Sequence, residues 1–571
     1  MRNQFSCAVH RILNEFSKKT GLWLLFICGI LPLYSLEAAE DFYQQASVLL
    51  NNPLLVADSK CGFPVILQTV NSPNPELQQL YRLHKASAAN LDRVYFSPSG
   101  HFRIHYALGG YHAIPTYDRD SNGIPDYLEF VGKSFDRAWE IEVDSLGFHP
   151  PPDSSGNPRE VYPINCQHIS NYGSTVLDYE IPNLPGSNYV TYIDINVNFS
   201  FVHYPGVTDP IVRDSMAIAV TAAHEFQHAL HSGYRLYPDN ANLFHDFWFI
   251  ESSAVFMEEV VAPEVNDYIQ YVKDYLPYIN QPIDDDQFSS TAYGRGVFII
   301  LLGEIHGKDI TRKIWEEILN VRATPAIEIV LNSLGSNLQT EIIRLSGWLY
   351  FSGTRAVLGK FFPDAALFTP DVSLKPANAL RSSLAELTQD SLPRLSFQWY
   401  QSSNQTSAQN DILLKALPPA LAEKLNLLVI DPLEPQYHVV NASQPFRLPS
   451  MNFGDNLAFS VVNGLTTGDE LFPFNVLGRP QSAVLADVYP QPLKISGSQP
   501  FLYFENLPPQ AEIHIFSSNG RHLRTIHPPA NAVSAYWDLL TKFGEKVGSG
   551  VYLYHIVSAD QERTGKFVVI R

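Results

Sequence analysis

Basic residues are scarce in this chain relative to acidic ones. Its 571 residues include 39 lysines and arginines against 58 aspartates and glutamates, for a formal net charge of −19. A nucleic-acid-binding surface needs excess positive charge to neutralise phosphates, so the composition argues against that class of function. The acidic balance otherwise reports on solubility rather than on activity.

Long hydrophobic runs are equally scarce. One is present, "GLWLLFICGILPLYSL" at 21–36, preceded by basic residues and followed by Ala38 and Ala39. This order is typical of a cleaved export signal, which we place at residues 1–39. A membrane anchor is the alternative, but the run is short for a bilayer span and contains Pro32. No later run is long enough, so we expect no transmembrane anchor after signal removal.

Cysteine is also rare, with four in the chain. Two lie in the predicted signal, so the mature chain keeps Cys61 and Cys166. In an exported protein we expect these two to form one disulfide, and two buried thiols are the alternative.

Hydrophobic periodicity divides the mature chain into four parts. Residues 40–100 are a polar, partly helical lead-in, which is either a pro-segment or part of the fold. Residues 101–371 combine alternating and helical stretches and predict an α+β domain. Residues 372–480 contain short alternating runs broken by Pro, Asn and Gly, which predict a β-sandwich module. Residues 484–571 read as a further module of short strands and turns.

The stretch "TAAHEFQHALHSGYR" contains the pattern H-E-x-x-H. It lies on a predicted helix, where residues four apart share a face, so His224 and His228 can bind one ion. Glu225 beside them can act as general base toward a zinc-activated water. The pattern also arises by chance in long chains, so a third ligand has to be found.

Catalytic zinc takes three protein ligands and keeps one open position. One known continuation, H-E-x-x-H-x-x-G-x-x-H, is excluded because His231 and Tyr234 stand where it needs glycine and histidine. The other solution takes a glutamate from the following helix. We therefore expect Glu251, in "HDFWFIESSAVFMEE", to be the third zinc ligand.

Other residues near the motif are alternative zinc ligands or are not expected to bind the metal. Glu258 and Glu259 are the rivals of Glu251, and Glu258 could instead orient a zinc-binding histidine. His231 and His245 are not expected to be ligands; His231 is read as a polar residue at the helix end.

"HEFQHALHSGY" followed by "WFIESSAVFMEE" resembles the gluzincin branch of zinc peptidases, in which two histidines and a downstream glutamate bind zinc. With the upstream "DSNGIPDYLE", it is most similar to a family of exported bacterial metalloproteases of that branch, over roughly residues 60–360. The resemblance implies a zincin-like catalytic domain, with a mixed sheet lobe and a helical lobe, and endopeptidase activity on a protein or peptide substrate.

The same resemblance implies a donor for the oxyanion that forms during hydrolysis. Some gluzincins place a tyrosine in a later helix for this purpose, and Tyr293 in "STAYGRGVF" is the candidate here. Tyr234 and Arg295 are the alternative donors. Tyr293 could also be a core residue that only packs against its neighbours.

"DRDSNGIPDYLE" at 118–129 has the spacing of a twelve-residue calcium loop. The predicted oxygen ligands of Ca²⁺ are Asp118, Asp120, Asn122, the carbonyl of Ile124, Asp126 and Glu129. An acidic turn that caps a helix is the alternative.

The C-terminal segment contains "YPQP", "KVGSGVYLY" and "GKFVVIR". These closely resemble the type A sorting domain of type IX secretion, an Ig-like β-sandwich, although Gln491 and Leu539 depart from its usual pattern. The resemblance implies the type IX secretion machinery as a partner. It also implies a secreted or cell-surface protein, exported through the periplasm of a Gram-negative-type cell.

Three functions remain open at this point. The leading one is an exported zinc endopeptidase with a calcium-stabilised catalytic domain. A cell-surface binding or adhesive protein with a vestigial or structural zinc site is the second, although such a site needs no general base and Glu225 is present. An aminopeptidase is the third, but the sequence shows no motif that would bind the free amino terminus of a substrate. If residues 40–100 are a pro-segment, Cys61 could block the zinc as a thiolate.

Overall fold

The computed structural model describes Ala46 and residues 60–571 apart from short internal segments. The segments left out are 71, 73, 87–89, 182–187, 237–245, 287–289, 382–384, 405–409, 417–418, 432–433, 443–444, 449–455, 481–486, 496–500, 506, 508–509, 530–533 and 559–561. The predicted signal peptide and the start of the lead-in lie outside the described residues. Within the described part of the chain, no helix combines the length and apolar character needed to cross a membrane.

The chain is of mixed α and β structure and divides into two compact units, Met1–His245 and Asp246–Arg571. The division falls inside the predicted 101–371 domain. Residues before His245 pack mainly with one another, and so do residues after Asp246. The helix with the H-E-x-x-H motif belongs to the first unit, and the helix with Glu251 belongs to the second.

The first unit contains a five-stranded mixed sheet. Its strands are β1 (Arg93–Phe96), β2 (Phe102–Tyr106), β3 (Tyr162–Gln167), β4 (Gly173–Glu180) and β5 (Tyr189–Asn196). The spatial order is β1-β2-β3-β5-β4. Strands β2, β3 and β5 are parallel, whereas β4 is antiparallel to β5 and forms one edge. That edge lies beside the motif helix.

Helices cover this sheet. They are α1 (Phe63–Val70), α2 (Pro75–Ala86), α3 (Asp126–Trp139), which continues as a π-helical turn (Glu140–Ser145), and α4 (Pro210–His231). Phe226 of α4 packs its ring 5.4 Å from that of Phe102 and 5.6 Å from that of Trp139. These fully or largely buried aromatic contacts fix the rotation of α4 on the sheet. They therefore fix which way its polar motif residues face.

The second unit begins with helices. They are α5 (Phe247–Val261), α6 (Ile269–Tyr275), α7 (Thr291–Gly294), α8 (Gly296–His306), α9 (Ile310–Ile318), α10 (Ala323–Ser333) and α11 (Leu338–Tyr350). The stretch "AYGRGVFIILLGEIHG" has apolar residues at helical spacing, which predicts one helix, but the structure divides it at Arg295. A Cβ on Gly294 would lie 2.4 Å from the Tyr271 carbonyl oxygen, and one on Gly296 2.6 Å from Val255. The two glycines thus allow close packing on both sides of the break.

A two-sheet module follows the helices. Its strands are β6 (Lys375–Leu380), β7 (Ala385–Leu392), β8 (Ser396–Asn404), β9 (Asn410–Ala416), β10 (Leu425–Ile430), β11 (Tyr437–Asn441), β12 (Pro445–Arg447), β13 (Asn456–Asn463) and β14 (Phe472–Pro480). The sheets have the orders β11-β10-β13-β8-β6 and β12-β9-β14-β7. Alternate side chains from both sheets, among them Leu427, Phe459 and Val476, form one buried core.

The last part of the chain forms two further sheets. Their strands are β15 (Asp487–Tyr489), β16 (Leu493–Lys494), β17 (Leu502–Glu505), β18 (Glu512–Ser517), β19 (His522–Ile526), β20 (Ser534–Trp537), β21 (Gly550–Val557) and β22 (Glu562–Ile570). The orders are β15-β17-β20 and β16-β22-β21-β18-β19. Trp537 and Phe567 lie in their shared core, so this part has its own hydrophobic interior.

Candidate metal centre

Helix α4 presents His224 and His228 on one face. The helix begins at Pro210, which fits the first helical position, and the side chain of Asp209 accepts a hydrogen bond from Ile211 N at 2.8 Å. Both histidines are buried, and their Nε2 atoms lie 3.1 Å apart. The helix thus places the Nε2 atoms of the two imidazoles next to each other.

The spacing of the two imidazole nitrogens fits a zinc ion. Zn–N distances of about 2.0–2.1 Å and tetrahedral angles place two histidine nitrogens roughly 3.3 Å apart. The 3.1 Å between His224 Nε2 and His228 Nε2 is close to that value. The thiol sulfur of Cys61 belongs to the same group, since its Sγ and one ring nitrogen of each histidine lie within 4.8 Å of one another. Two imidazoles and a thiol are donors that zinc prefers.

Glu225 is held by the edge strand of the sheet. Thr175 Oγ1, on β4, lies 2.8 Å from Glu225 Oε2 and 2.8 Å from the Glu225 carbonyl oxygen. Gly173 opens the same strand, and a Cβ there would lie 2.7 Å from Glu225 Cγ. The close approach of strand to helix therefore requires glycine at 173. The H-E-x-x-H motif did not predict that Thr175 would contact Glu225. The one sequence feature that points to this close approach is the glycine at the start of the strand in "YGSTV".

His231 lies against the same histidine pair. Its Nδ1 is 3.4 Å from His228 Nδ1, and its Nε2 is 2.8 Å from Gln227 Nε2. The predicted polar residue at the helix end is in fact fully buried. Burial, with the neighbouring His228 and His224, holds the pKa of His231 well below its usual value, so its ring is neutral. It is placed to orient His228.

The remaining predicted residues of the zinc site belong to the second unit. Glu251 and Glu258 lie on α5, and Tyr293 lies on α7; all three side chains are buried. Ser252 Oγ donates to the Ala292 carbonyl at 3.0 Å, so α5 and α7 contact each other beside Glu251 and Tyr293. The Tyr293 ring also packs 5.3 Å from that of Tyr271.

The predicted calcium loop brings three carboxylates together. One oxygen each of Asp118, Asp120 and Asp126 lies within 4.8 Å of the others. The Gly123 backbone N–H donates to Asp118 Oδ2 at 2.8 Å, and this bond lowers the pKa of Asp118. Gly123 has φ of 86°, a left-handed conformation that glycine adopts without strain.

Two other predicted calcium ligands are engaged within the loop or helix. Asn122 Oδ1 accepts from Ile124 N at 2.8 Å, while its Nδ2 donates to Asp120 Oδ2 at 3.0 Å. Glu129 Oε1 lies 3.3 Å from Lys133 Nζ, one helical turn further on in α3. Of the predicted calcium ligands, the three aspartates therefore lie close together, whereas the Glu129 side chain forms an ion pair with Lys133.

The predicted disulfide between Cys61 and Cys166 is wrong. Both cysteines are buried and neither is disulfide-bonded. Cys166 on β3 and Gly173 on β4 both pair with Ile195 of the intervening strand β5, and Cys61 pairs with Gly173 on its outer side. Three strand spacings, roughly 14 Å in all, separate the cysteines, whereas a disulfide needs Cα atoms within about 7 Å.

No protein-family model and no curated protein matches the chain. Among solved structures, it is similar to PorZ, a bacterial surface component of the type IX secretion system of Porphyromonas gingivalis. The identity is 22% over 17% of this chain and 14% of that chain, with a TM-score of 0.14. Latent dimeric PorU from the same organism aligns at 14% identity over 26% of this chain and 16% of that chain, with a TM-score of 0.13. The adhesin domain of Epf from Streptococcus pyogenes aligns at 8% identity over 30% and 71%, with a TM-score of 0.12.

The chain thus spans less than a fifth of PorZ and of PorU. At these TM-scores the alignments define neither a family nor a common fold. Functional argument therefore rests on the residues of this chain.

Proposed function

We propose that this chain is an exported zinc-dependent endopeptidase. The observation that carries the proposal is the pair of imidazole Nε2 atoms 3.1 Å apart on α4, beside a carboxylate that a neighbouring strand holds in place. When bound there, a zinc ion supplies Lewis-acid polarisation of a peptide carbonyl and an acidified water.

His224 and His228 would hold the ion through their Nε2 atoms. Glu251 is the proposed third protein ligand, on the strength of its position in the helix that follows the motif. Its side chain is fully buried on α5, and a carboxylate oxygen is one of the donors that zinc accepts. Glu258, on the same helix, is proposed to orient a zinc-binding histidine.

Glu225 is proposed as the general base. Thr175 Oγ1 lies within hydrogen-bonding distance of Oε2, which leaves Oε1 to take a proton from the attacking water. The same carboxyl group then delivers that proton to the departing amine. Tyr293 is the proposed hydroxyl donor to the oxyanion that develops on the peptide carbonyl.

The 118–129 loop is proposed to bind Ca²⁺ in a structural role. The three grouped aspartates supply hard oxygen donors of the kind that Ca²⁺ prefers. Binding would relieve the repulsion among them and fix the start of α3, which packs against the sheet.

The C-terminal part of the chain is proposed to serve export. It forms strands from β15 to β22 with their own core, as expected of a β-sandwich sorting domain. Together with the predicted signal, this supports a secreted or cell-surface location through type IX secretion.

A cell-surface binding protein is the second candidate function. The two β-rich parts, from β6 to β22, make up most of the second unit and could present a binding surface. Under this alternative, the histidine pair holds a structural ion and Glu225 has no chemical role.

Casein hydrolysis by the purified chain without its signal separates the two candidates. The assay uses the wild type, Glu225→Gln and a matched control, Glu142→Gln, which changes another buried glutamate of the first unit. Each is tested intact and after limited proteolysis, because residues 40–100 are a candidate pro-segment. We expect hydrolysis by the wild type and the control only. Bound zinc with no hydrolysis by any form would favour the binding protein.

A further inference from the structure

The segment just before α1 lies directly on the proposed zinc ligands. Cys61 is fully buried, and its Sγ lies within 4.8 Å of the ligand nitrogens of His224 and His228. The Phe63 backbone N–H donates to Cys61 Sγ at 3.2 Å. A hydrogen bond of this kind stabilises negative charge on the sulfur and suits a metal-bound thiolate.

The same segment occupies the open edge of the sheet. Cys61 forms a parallel bridge with Gly173 at the start of β4. Gly62 N donates to the Gly173 carbonyl at 3.1 Å, and Tyr172 N donates to the Lys60 carbonyl at 3.1 Å. An extended peptide that added to this edge would need these same backbone groups.

A Cβ on Gly173 would lie 2.7 Å from Glu225 Cγ, so this part of the edge borders the proposed base. A substrate peptide paired here would be beside the residue that has to act on it. Residues 60–62 therefore stand where a substrate backbone would have to lie.

The segment also packs against one of the two histidines. The Phe63 ring stacks on the His228 ring with centroids 4.4 Å apart. His228 is 0% exposed and Glu225 is 1% exposed. A base and a metal ligand this deeply buried are not accessible to a protein substrate.

Helix α2 extends the contact along the same edge strand. The Tyr81 hydroxyl donates to the Leu177 carbonyl, and Lys85 Nζ lies 2.8 Å from Asp178 Oδ1. The lead-in thus contacts β4 near its start through residues 60–62 and further along through α2.

We propose that residues 60–63 keep the site latent, with Cys61 as an additional metal ligand in the position that catalysis needs open. This inference rests on the proposed function. Two histidines, Glu251 and a thiolate would complete four-coordination, which is typical of closed sites, whereas three protein ligands leave room for water. Release of the lead-in would open the coordination position and free the sheet edge together.

Cobalt substitution tests this proposal without relying on activity. Co²⁺ is added to the metal-free full chain without its signal, as wild type, Cys61→Ser and the matched control Cys166→Ala, which removes the other buried thiol. We expect visible d–d bands in all three. The near-ultraviolet thiolate-to-cobalt band is expected in the wild type and in Cys166→Ala, and its loss in Cys61→Ser.

The outcomes separate this proposal from the proposed function. Absence of d–d bands in the wild type would overturn both, because no metal is then bound by the histidines. Wild-type d–d bands without a thiolate band would overturn the role of Cys61 and leave the metal site intact. If Cys61→Ser fails to fold, the wild-type and Cys166→Ala spectra still decide between these results.

Casein hydrolysis by the same proteins then distinguishes latency from a structural role for the thiol. Latency predicts that the intact wild type and Cys166→Ala do not hydrolyse casein, and that both do so after limited proteolysis removes the lead-in. An intact wild type that shows the thiolate-to-cobalt band and still hydrolyses casein as fast as the proteolysed protein would refute the blocking role.

Discussion

The hydrogen bond between Thr175 and Glu225 gives the sharpest energetic prediction. Thr175→Val removes the hydroxyl that lies 2.8 Å from Glu225 Oε2 and keeps nearly the same shape in a fully buried position of β4. Hydrogen bonds to charged groups contribute about 1.5–3 kcal/mol to stability. We therefore expect the free energy of unfolding to fall by about that amount, since valine fills the same space in a strand without satisfying the carboxylate.

Thr191→Val is the matched control. Thr191 is buried on the neighbouring strand β5, and its Oγ1 lies 2.7 Å from the Tyr162 hydroxyl, a neutral partner. A neutral hydrogen bond contributes about 0.5–1.5 kcal/mol, so the control should lose less.

A double-mutant cycle with Glu225→Gln isolates the pair. The free energies are measured by scanning calorimetry of the full chain. Because a chain of two compact units need not unfold in one step, only the unfolding transition of the first unit is compared between variants. In the Glu225→Gln background, the cost of Thr175→Val should shrink to the neutral range of the control. An equal cost in both backgrounds would refute the argument that Thr175 holds the Glu225 carboxylate.

Three further predictions concern stability elsewhere. Burial raises the pKa of Glu142 well above its usual value, so the folded state retains a proton that the unfolded chain releases above about pH 4.3. Stability should then fall by about 1.4 kcal/mol per pH unit from there up to the folded pKa, and Glu142→Gln should remove this slope in calorimetry. Lys415→Met leaves Glu505 buried without its ion-pair partner and should cost about 3–5 kcal/mol, against less than about 1 for Lys375→Met, whose ion pair is partly exposed. Ca²⁺ should raise the melting temperature of the wild type and not that of Asp118→Asn.

Local patterns predicted the elements that carry the candidate site. The helical period of "VRDSMAIAVTAAHEFQHALHSGY" predicted α4, and the four-residue spacing placed His224 and His228 on one face. The stretch "SNYVTYIDINVNF" alternates and is rich in Val, Ile and Tyr, a pattern that predicts a strand, and β5 forms there at 189–196. Both signals are local, because each depends on residues within a few positions of one another.

The rest depended on contacts between distant parts of the chain. Cys61 reaches the histidines because its backbone pairs with Gly173. The disulfide prediction failed for the same reason, since cysteine count and compartment carry no information on strand order. Thr175 was missed because nothing in a strand sequence tells which residue of α4 it will face.

Zinc content tests the central claim most directly. The purified chain is dialysed against zinc, then against buffer, and its metal is measured by mass spectrometry for the wild type, the His224→Ala/His228→Ala double variant and His101→Ala. His101 stacks on Trp139 and is not part of the ligand group, so it serves as the histidine control. We predict about one zinc ion per chain in the wild type and the control, as three- or four-ligand zinc sites hold a single ion, and none in the double variant. Equal zinc in all three, or none in the wild type, would contradict the account.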